Sequence, residues 1–495
     1  MTCSQPTRKQ AALLMMTGRV VGSILTIATA GVLARCWSEQ DYGGYRAVML
    51  AFQVMSSFAT LGIPTGLTFF LSQTNRGRQK AAVAQAGLLL AGCGGLVSAV
   101  TIGWSLAWPA SDAGSGLPAA LAFALYPVFA LPLLVADTWL LTIQRSRTAA
   151  WFIIQTSILQ SAAAILPALA GFGVPAVLGC LTFATFIRFL IAFWIYRSEY
   201  RGDDSDWDPA FPMRLLRHSA PLGLAGLVGS INLMLDKLFI SCWAAPAEFA
   251  VYSNGATELP VIGIISSSVA AVLAPEFVRL FQGGRLQEML ALWRSSLRIT
   301  AIVVLPLTAG MLLFAADAVT LLYSEKYLES VPIFRIYLLV LPLRITVHGS
   351  LLVAAGRSRT VFSAAVIGVV LAAGLLCALV PVFGMPGAAS AMVLSVYGVA
   401  GVLLFRTARL VGTSLRETVP WRDLSLTLAA SAAGAALAAI VTRQLDPGWV
   451  RLVVGLGITG FVCCSIHAAA WGSRGELLAV FAAATGRRPV QRGTP

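Results

Sequence analysis

Charged side chains are scarce in this sequence. Asp, Glu, Lys and Arg make up 11% of its 495 residues and hydrophobic residues 58%, whereas a soluble domain carries about 25% charged residues. So little polar side chain cannot cover the surfaces of soluble domains, and this excludes a chain built only of such domains. Apolar runs of about 20 residues, each long enough to cross a bilayer core of roughly 30 Å, fill most of the sequence. The composition therefore indicates an all-α polytopic membrane protein.

The sequence also lacks the patterns of a metal, disulfide or nucleotide site. Its eight cysteines and three histidines form no Cys-x-x-Cys pair and no Cys/His set with ligand spacing, and most of the cysteines lie in apolar runs, where a free cysteine behaves as a small hydrophobe. No Walker sequence is present. Gly-Leu-Gly-Ile-Thr-Gly at 455–460 fits a dinucleotide motif only by its letters, because no strand precedes it. We expect no cofactor, no metal and no enzymatic activity.

Hydropathy and helix-breaking residues predict fourteen transmembrane helices. The first apolar run ends without a convincing cleavage site and is interpreted as an uncleaved helix. The eighth span contains Pro260 and Pro275 and should be kinked. The predicted spans are about 11–35, 46–72, 82–107, 118–143, 150–170, 173–196, 216–242, 249–281, 292–315, 331–355, 360–380, 384–405, 423–442 and 448–471.

The basic residues give this topology an orientation. The formal net charge is +14, but the lysines and arginines form short clusters between apolar runs rather than one surface, so we do not expect nucleic acid as a partner. The clusters fall in alternate connections, which is the positive-inside pattern and predicts that both termini are cytoplasmic. The connections on the other side hold few basic residues: Arg35, Arg46, Lys326, Arg335, Arg443 and Arg451.

Short patterns recur in the same order in the two halves of the chain. Cys-Trp, followed by an acid, an aromatic residue and a tyrosine, occurs at 36–45 and again at 242–252. Arg-Ser-Arg-Thr occurs at 145–148 and at 357–360. The sixth and twelfth predicted spans both begin at a Gly-x-Pro pattern. These matches predict that helices 1–6 and 7–12 are two copies of one unit.

The repeat predicts a domain organisation. We expect an N-terminal six-helix bundle at 1–200, a cytoplasmic linker at 201–215, a C-terminal six-helix bundle at 216–410, and two additional helices with a cytoplasmic tail at 411–495. Because six spans return the chain to its starting side, the two copies are parallel repeats. Two such bundles around a central cavity that opens to alternate sides would form a transporter, although this architecture does not name the cargo.

Several stretches resemble a known family. Residues 33–73, 230–256, 354–371 and 382–399 are similar to the Wzx-like polysaccharide flippases of the multidrug/oligosaccharidyl-lipid/polysaccharide (MOP) exporter superfamily. The similarity covers about 11–410, whereas the remaining residues match only in topology. The resemblance implies a fold of about fourteen transmembrane helices with two six-helix repeats.

The resemblance also implies a function and partners. It implies a flippase that moves undecaprenyl-pyrophosphate-linked oligosaccharide repeat units across the bacterial inner membrane, without ATP hydrolysis, for exopolysaccharide, capsule or O-antigen synthesis. The implied partners are this lipid-linked oligosaccharide (a polyprenyl pyrophosphate), membrane lipid, and polymerase and export proteins of the same pathway.

Charged residues inside the predicted spans are functional candidates, because charge is expensive in a bilayer. When the two copies are aligned at Cys-Trp, these charges are not repeated, which favours an asymmetric cavity over a folding requirement. The cations are Arg19, Arg188, Lys237, Arg298 and Arg344, and the acids are Asp137, Asp236 and Glu258.

Arg344 and His348 are the leading candidates. They are four residues apart in the tenth predicted span, so a helix would place them on one face, where a guanidinium could bind a pyrophosphate bidentately. An interhelical ion pair is the structural alternative. Arg19, near the cytoplasmic end of the first span, could meet the headgroup or extend to the interface, and Arg188 and Arg298 could contact cargo or do the same.

The remaining charges are less specific candidates. Asp236 and Lys237 are adjacent and so point in different directions; both are cavity candidates, and a structural role is slightly favoured. Asp137 and Glu258 are candidates for a coupling-ion site, and His348 could titrate as well.

Tyr42, Tyr45 and Tyr252 flank predicted helix ends. We interpret them as aromatic residues of the membrane interface rather than as sugar-stacking residues. Gly62 and Pro64 are candidates for a bend in the second span.

Alternative functions remain open. A MATE-type drug/cation antiporter should have an acid-rich lumen, whereas here five intramembrane cations oppose three acids. A lipid II flippase is excluded only weakly. A membrane glycan polymerase or glycosyltransferase should show a large outer loop or a metal-binding acidic motif, and the sequence has neither. A non-transporting scaffold would leave unpaired arginines in the membrane without a reason.

Overall fold

The structure is a computed structural model that describes residues 8–107, 117–345, 348–446 and 448–471. Every regular element within these ranges is a helix, which confirms the predicted all-α class. The α-helices are α1 Arg8–Cys36, α2 Glu39–Thr60, α3 Ile63–Leu71, α4 Arg76–Ala107, α5 Leu117–Phe123, α6 Tyr126–Thr142, α7 Ser146–Leu169, α8 Val174–Glu199, α9 Phe211–Trp243, α10 Pro246–Gly255, α11 Pro260–Gln282, α12 Leu286–Leu313, α13 Ala315–Leu322, α14 Ser330–Leu338, α15 Ser350–Ala354, α16 Ser358–Val411, α17 Leu415–Thr418, α18 Trp421–Val441 and α19 Trp449–Trp471. Short 3₁₀ helices cover Glu325–Tyr327, Leu341–Ile345 and Thr442–Gln444.

The number of membrane-spanning helices differs from the prediction. Within the described ranges, 11 helices are long and apolar enough to cross a membrane, or 12 if the two arms of α9, bent by 59° between Pro221 and Gly226, form one span. The predicted count of fourteen is therefore not confirmed. One reason is that α16 counts as a single helix, although its backbone is not helical at Gly384 (φ 59°, ψ −138°), next to the predicted break between the eleventh and twelfth spans.

Large apolar side chains cover the outside of many helices. Phe461 is 74% exposed and Trp194 70% exposed. Water-exposed patches of this kind are rare on soluble proteins, whereas a lipid tail solvates them without cost. The apolar exterior therefore agrees with a multi-pass membrane protein.

The chain divides into two compact units. Unit 1 comprises residues 1–254 and 322–324, and unit 2 comprises residues 255–321 and 325–495. In unit 1, α1 packs on α7, α4 packs on α6, and α8 packs on α5, α6 and α7. Its core is apolar and includes Trp139 and Tyr200. The Trp139 Nε1–H donates to the Tyr200 hydroxyl at 2.9 Å. α9 belongs to this unit and packs on α2 and α3.

Unit 2 is organised around α12. This helix packs on α11, α18 and α19, while α16 packs on α14 and α15. α18 and α19 lie against each other through small residues: a Cβ on Gly434 would come within 2.8 Å of the Thr459 carbonyl oxygen. Small residues let two membrane helices approach closely, and the Gly-rich stretch at 455–460 lies within α19 in this seam.

The repeated sequence patterns adopt the same local structure. α1 ends at Cys36 and α9 ends at Trp243, and each is followed directly by a second helix. At the two Arg-Ser-Arg-Thr sites, Gln144 (φ 61°) and Gly356 (φ 72°) are left-handed. The following arginine N–H donates back to the preceding helix at 2.9 Å in the first copy and 2.8 Å in the second. The sequence repeat therefore encodes a repeated helix–turn–helix geometry.

The connection between α8 and α9 is tied to the start of α4. Arg76 Nε lies 3.1 Å from Asp203 Oδ2, and Arg78 Nε lies 2.7 Å from Asp206 Oδ2. Lys80 Nζ also donates to a backbone carbonyl of this connection at 2.6 Å. All of these residues belong to unit 1, so this charged connection is docked within the unit that contains it.

Candidate functional site

Unit 1 contains a polar cavity of about 490 Å³. Residues of α1, α2, α6, α7, α8, α9 and α10 line it. Its volume lies in the range of small-molecule sites, roughly 300–1,000 Å³. Among its described lining residues are two cations, Arg46 and Lys237, and no carboxylate. A cavity lined in this way attracts an anion.

Arg46 is held at the cavity by α10. Its Nε donates to Ser253 Oγ at 2.6 Å and its Nη2 to the Ser253 carbonyl oxygen at 3.2 Å. Its guanidinium carbon lies 5.9 Å from the centre of the Tyr42 ring, and the Tyr42 hydroxyl donates to Asn254 Oδ1 at 3.0 Å. These contacts fix the direction of the guanidinium.

α2 and α10 approach closely enough to require a glycine. A Cβ on Gly43 would lie 1.8 Å from the Pro246 carbonyl oxygen, which is far inside van der Waals contact. Gly43 follows the first Cys-Trp pair, and Pro246 follows the second. The two copies of this repeated pattern therefore meet at the cavity, inside one unit.

Lys237 and Asp236 take opposite directions on α9. Lys237 lines the cavity. Asp236 is fully buried and accepts a hydrogen bond from the Tyr252 hydroxyl at 2.6 Å. Tyr42 and Tyr252 are both fully buried, so their interpretation as interfacial aromatics was wrong: each hydroxyl has a protein partner and does not need water. Tyr45 lines the cavity.

Aromatic rings and amides form another part of the wall. The Phe52 and Tyr126 rings lie edge to face with centroids 5.0 Å apart. Gln160 Nε2 is 3.4 Å from the Tyr126 hydroxyl, and Gln53 lines the same space. The cavity thus combines ring faces, amide groups and positive charge.

Arg188 and Asp137 lie behind this wall. Arg188, on α8, is only 6% exposed, and its guanidinium carbon is 5.5 Å from the centre of the Phe152 ring. Asp137 and Tyr126 both attract it electrostatically. Because Tyr126 also lines the cavity, Arg188 is one residue removed from the cavity rather than extended to the interface.

In unit 2, Arg344 is paired with Glu258. Arg344 Nη2 lies 2.7 Å from Glu258 Oε1 and 2.9 Å from Oε2. Both residues lie in interruptions of predicted spans: Glu258 between α10 and α11, and Arg344 in the 3₁₀ helix Leu341–Ile345. The Ser266 hydroxyl donates to the Arg344 backbone carbonyl. Broken helices of this kind commonly carry binding sites in transporters.

His348 does not share a helical face with Arg344. The segment that contains Arg344 is a 3₁₀ helix, and residues 348–349 form a turn before α15. His348 Nε2 lies 3.0 Å from the Leu343 carbonyl oxygen. The tenth predicted span is present as Ser330–Ala354, but it is not one regular α-helix, because a 3₁₀ helix separates α14 from α15 around Pro342, which cannot donate a backbone hydrogen bond.

The other candidate cations have different surroundings. Arg298 Nε lies 2.6 Å from Asp423 Oδ2, which joins α12 to α18. Arg19 lies in α1, and its side chain is outside the described part of the structure. Neither Arg298 nor Arg19 is among the described residues that line the cavity of unit 1.

Sequence reasoning missed two polar groups. Arg46 was assigned to an outer connection, although α2 already begins at Glu39; the acid-rich first turn after Ser38 could have signalled that helix start. Asp317 is 5% exposed and accepts from the Gly448 N–H at 2.9 Å, with Arg451 Nε at 3.9 Å. It lay beyond the end of the ninth predicted span.

Comparison with known proteins places these features in a family. The sequence profile described as polysaccharide biosynthesis protein matches residues 32–332, a stretch that includes the whole lining of the cavity except three residues of α1. The match also covers Glu258 but ends before Arg344.

A curated relative is a probable lipid II flippase MurJ from Rhizobium meliloti (strain 1021). It is 28% identical over 296 residues, which is 57% of this chain and 54% of the relative. The match therefore spans about half the length of the curated relative.

Two solved structures have a similar fold. A lipid II flippase MurJ in an inward closed conformation aligns with a TM-score of 0.73 at 15% identity, covering 93% of this chain and 100% of that one. An inward-facing multidrug resistance MATE family transporter of the MOP superfamily aligns at 0.59 and 14% identity, covering 81% and 96%. At these identities the likeness shows the MOP fold alone.

Proposed function

Since this chain belongs to the polysaccharide biosynthesis protein family, we propose that it is a flippase for lipid-linked oligosaccharide. Its cargo would be an undecaprenyl-pyrophosphate-linked repeat unit, carried by alternating access from the cytoplasmic to the outer leaflet of a bacterial inner membrane for exopolysaccharide, capsule or O-antigen synthesis. Both termini would lie in the cytoplasm, and polymerase and export proteins of the pathway would receive the product.

One observation supports this proposal over a drug antiporter. The cavity of unit 1 has two cations and no carboxylate among its described lining residues. A lumen for organic cations needs acidic groups, whereas an anionic headgroup needs this polarity. The inside-negative potential would assist export of such a headgroup, by about 2.3 kcal/mol per negative charge for each 100 mV.

The energetic problem of the reaction is the sugar. Its hydroxyls cannot cross hydrocarbon unaided, because each unpaired polar group costs about 2–7 kcal/mol. The hydroxyl, amide and cationic side chains of the cavity can replace water around such a headgroup, while the polyprenyl tail stays in lipid. No covalent bond is made or broken.

We assign the pyrophosphate to Arg344. A guanidinium can match phosphate oxygens bidentately, and Arg344 already holds an anionic group, with Nη2 at 2.7 Å and 2.9 Å from the two Glu258 carboxylate oxygens. A phosphate group would replace that carboxylate as the partner of Arg344. Glu258 and Asp137 are the candidates for coupling to an ion.

The test is the intermediate that accumulates when the gene is deleted. Undecaprenyl-linked repeat units should accumulate on the inner leaflet, while lipid II and cell-wall synthesis stay normal. Complementation with the wild-type gene should restore export. Normal export without the protein would refute the proposal.

Transport of lipid II is the second candidate. The curated relative and one structural neighbour are both named as lipid II flippases, and lipid II is itself a polyprenyl-pyrophosphate-linked sugar. Accumulation of lipid II in the deletion strain, with normal repeat-unit export, would select this function. Expulsion of ethidium from vesicles, with neither lipid accumulating, would instead select a drug antiporter.

A further inference from the structure

We propose that the cavity of unit 1 binds the sugar part of the cargo and selects a carboxylated sugar residue. This inference rests on the proposed function, since it names the part of that cargo that Arg46 and Lys237 would bind in unit 1. The family match does not assign this sugar.

The first support is the composition of the wall. The apolar C–H face of a pyranose packs on aromatic rings, and its hydroxyls bond to amide and hydroxyl groups. The cavity offers the rings of Tyr45, Phe52 and Tyr126 together with the amides of Gln53 and Gln160. A small inorganic anion would use the cations but leave these rings without a contact.

The second support is the asymmetry of the repeat. When the two copies are aligned at the motif tyrosine, Tyr45 corresponds to Tyr252, and the next residues are Arg46 and Ser253. These two residues bond directly, with Arg46 Nε 2.6 Å from Ser253 Oγ. A shared scaffold therefore carries a cation in one copy only, which is a specificity feature rather than a packing requirement.

The third support is the placement of the two cations. Arg46 is fixed on α2 by its bonds to α10, and Lys237 comes from α9. Asp236, the acid next to Lys237, is fully buried, accepts a hydrogen bond from the Tyr252 hydroxyl and is not among the residues that line the cavity. The wall thus separates positive from negative charge, and a carboxylated ring is the anion that also uses its aromatic surface.

The test measures binding of sugars to the purified protein in nanodiscs by saturation-transfer NMR. The probes are a glucuronosyl-glucose disaccharide, neutral cellobiose and inorganic pyrophosphate. The acidic disaccharide should bind at least about tenfold more tightly than cellobiose, the difference expected for a charge-assisted hydrogen bond. Pyrophosphate can use the two cations but not the rings, so the acidic disaccharide should bind more tightly than pyrophosphate.

Three variants and a control assign the effect. Arg46→Gln and Lys237→Gln should each weaken binding of the acidic disaccharide about tenfold and leave cellobiose unchanged. Arg46→Lys keeps the charge but loses the fork, so its loss should be smaller. Arg201→Gln removes the same charge from an exposed position of the linker and should bind like the wild type.

The outcomes separate this inference from the proposed function. If Arg46→Gln does not fold, the Lys237→Gln and Arg46→Lys variants decide. Equal binding of acidic and neutral probes, wild-type binding by Lys237→Gln, or tighter binding of pyrophosphate than of the acidic disaccharide overturns the inference. None of these results changes which lipid accumulates in the deletion strain, so the flippase proposal would stand or fall on that separate measurement.

Discussion

The Arg344 guanidinium and the Glu258 carboxylate form an ion pair between two interrupted helices of unit 2, with Nη2 within 2.9 Å of both carboxylate oxygens. The two side chains are 34% and 39% exposed. Partial exposure lowers the stabilising value of such a pair to about 1 kcal/mol or less. Such an ion pair can separate at a small free-energy cost. A binding site needs this property, because the cargo must displace the protein's own partner, whereas a purely structural ion pair does not need it.

Replacement of Arg344 should therefore impair export more than folding. Arg344→Ala is expected to abolish export of lipid-linked repeat units while the amount of protein in the membrane stays close to that of the wild type. Arg344→Lys should retain part of the activity, because it keeps the charge but not the bidentate geometry. The measurements are surface polysaccharide and protein abundance in a complemented deletion strain.

A double variant distinguishes the two roles of this arginine. If Arg344 only neutralises Glu258, then removing both charges in Arg344→Gln with Glu258→Gln should restore export. If Arg344 binds cargo, the double variant should stay inactive. Restored export would refute the assignment of the pyrophosphate to Arg344.

Arg298 should behave differently from Arg344. It joins α12 to α18 through Asp423, and the two side chains are 32% and 23% exposed. Arg298→Gln should lower the free energy of unfolding by on the order of 1 kcal/mol and leave export unchanged once corrected for abundance. A thermal-shift measurement on the purified protein gives the first quantity. Loss of export in a protein of normal stability would return Arg298 to the set of cargo-binding residues.

The sequence could predict the helical class and the repeated turns, but not the site. Apolar runs and breakers locate most helices, and the two Arg-Ser-Arg-Thr sites have the same turn. Regular helices were predicted where the α-helix is interrupted around Glu258 and Arg344. Hydropathy measures the free energy of transferring side chains to lipid, and it does not show where the backbone leaves the α-helical conformation. Arg46 was missed because the contact that holds it at the cavity comes from α10, about 200 residues away in the chain. Hydrophobic periodicity carries no information about contacts at that separation.

Gln144 carries backbone strain that one substitution can remove. It is an exposed non-glycine residue with φ 61°, whereas the equivalent position of the second copy is Gly356 with φ 72°. A left-handed conformation costs an ordinary residue about 1 kcal/mol. Gln144→Gly should therefore raise the thermal midpoint, and Gly356→Ala should lower it. Equal midpoints for both variants and the wild type would contradict this account of the repeat.

The docked linker should be protected from protease. Trypsin should cleave slowly after Arg201 at low salt, because ion pairs of Arg76 and Arg78 hold the following residues. Cleavage should accelerate in 1 M salt, where the Debye length falls to about 3 Å, and in the Arg76→Gln, Arg78→Gln double variant. Fast cleavage at low salt would show that the linker is not docked.

The same linker has a defined pH dependence. The Ala210 backbone N–H and the Arg214 guanidinium both donate to Asp208, and they hold the pKa of that carboxyl below its usual range. The interaction is therefore present above the unfolded pKa of about 4 and is lost as the pH falls through the lower folded value. Hydrogen exchange of the Ala210 amide should stay slow at pH 5. Fast exchange at that pH would contradict the Ala210–Asp208 hydrogen bond.

The bend of α9 depends on a contact that only glycine permits. At Gly223, a Cβ would lie 2.1 Å from both the carbonyl carbon and the oxygen of Leu61, which is backbone and cannot move aside easily. Gly223→Ala should therefore destabilise unit 1 by about 1–3 kcal/mol, the usual cost of overpacking. Gly226, three residues further along the same helix, has nothing within 4 Å of its Cβ position. Gly226→Ala should stabilise the helix by about 0.5–1 kcal/mol. The two variants should therefore shift the thermal midpoint in opposite directions. A shift of the same sign in both would show that α9 and the α2–α3 turn are not packed in this way.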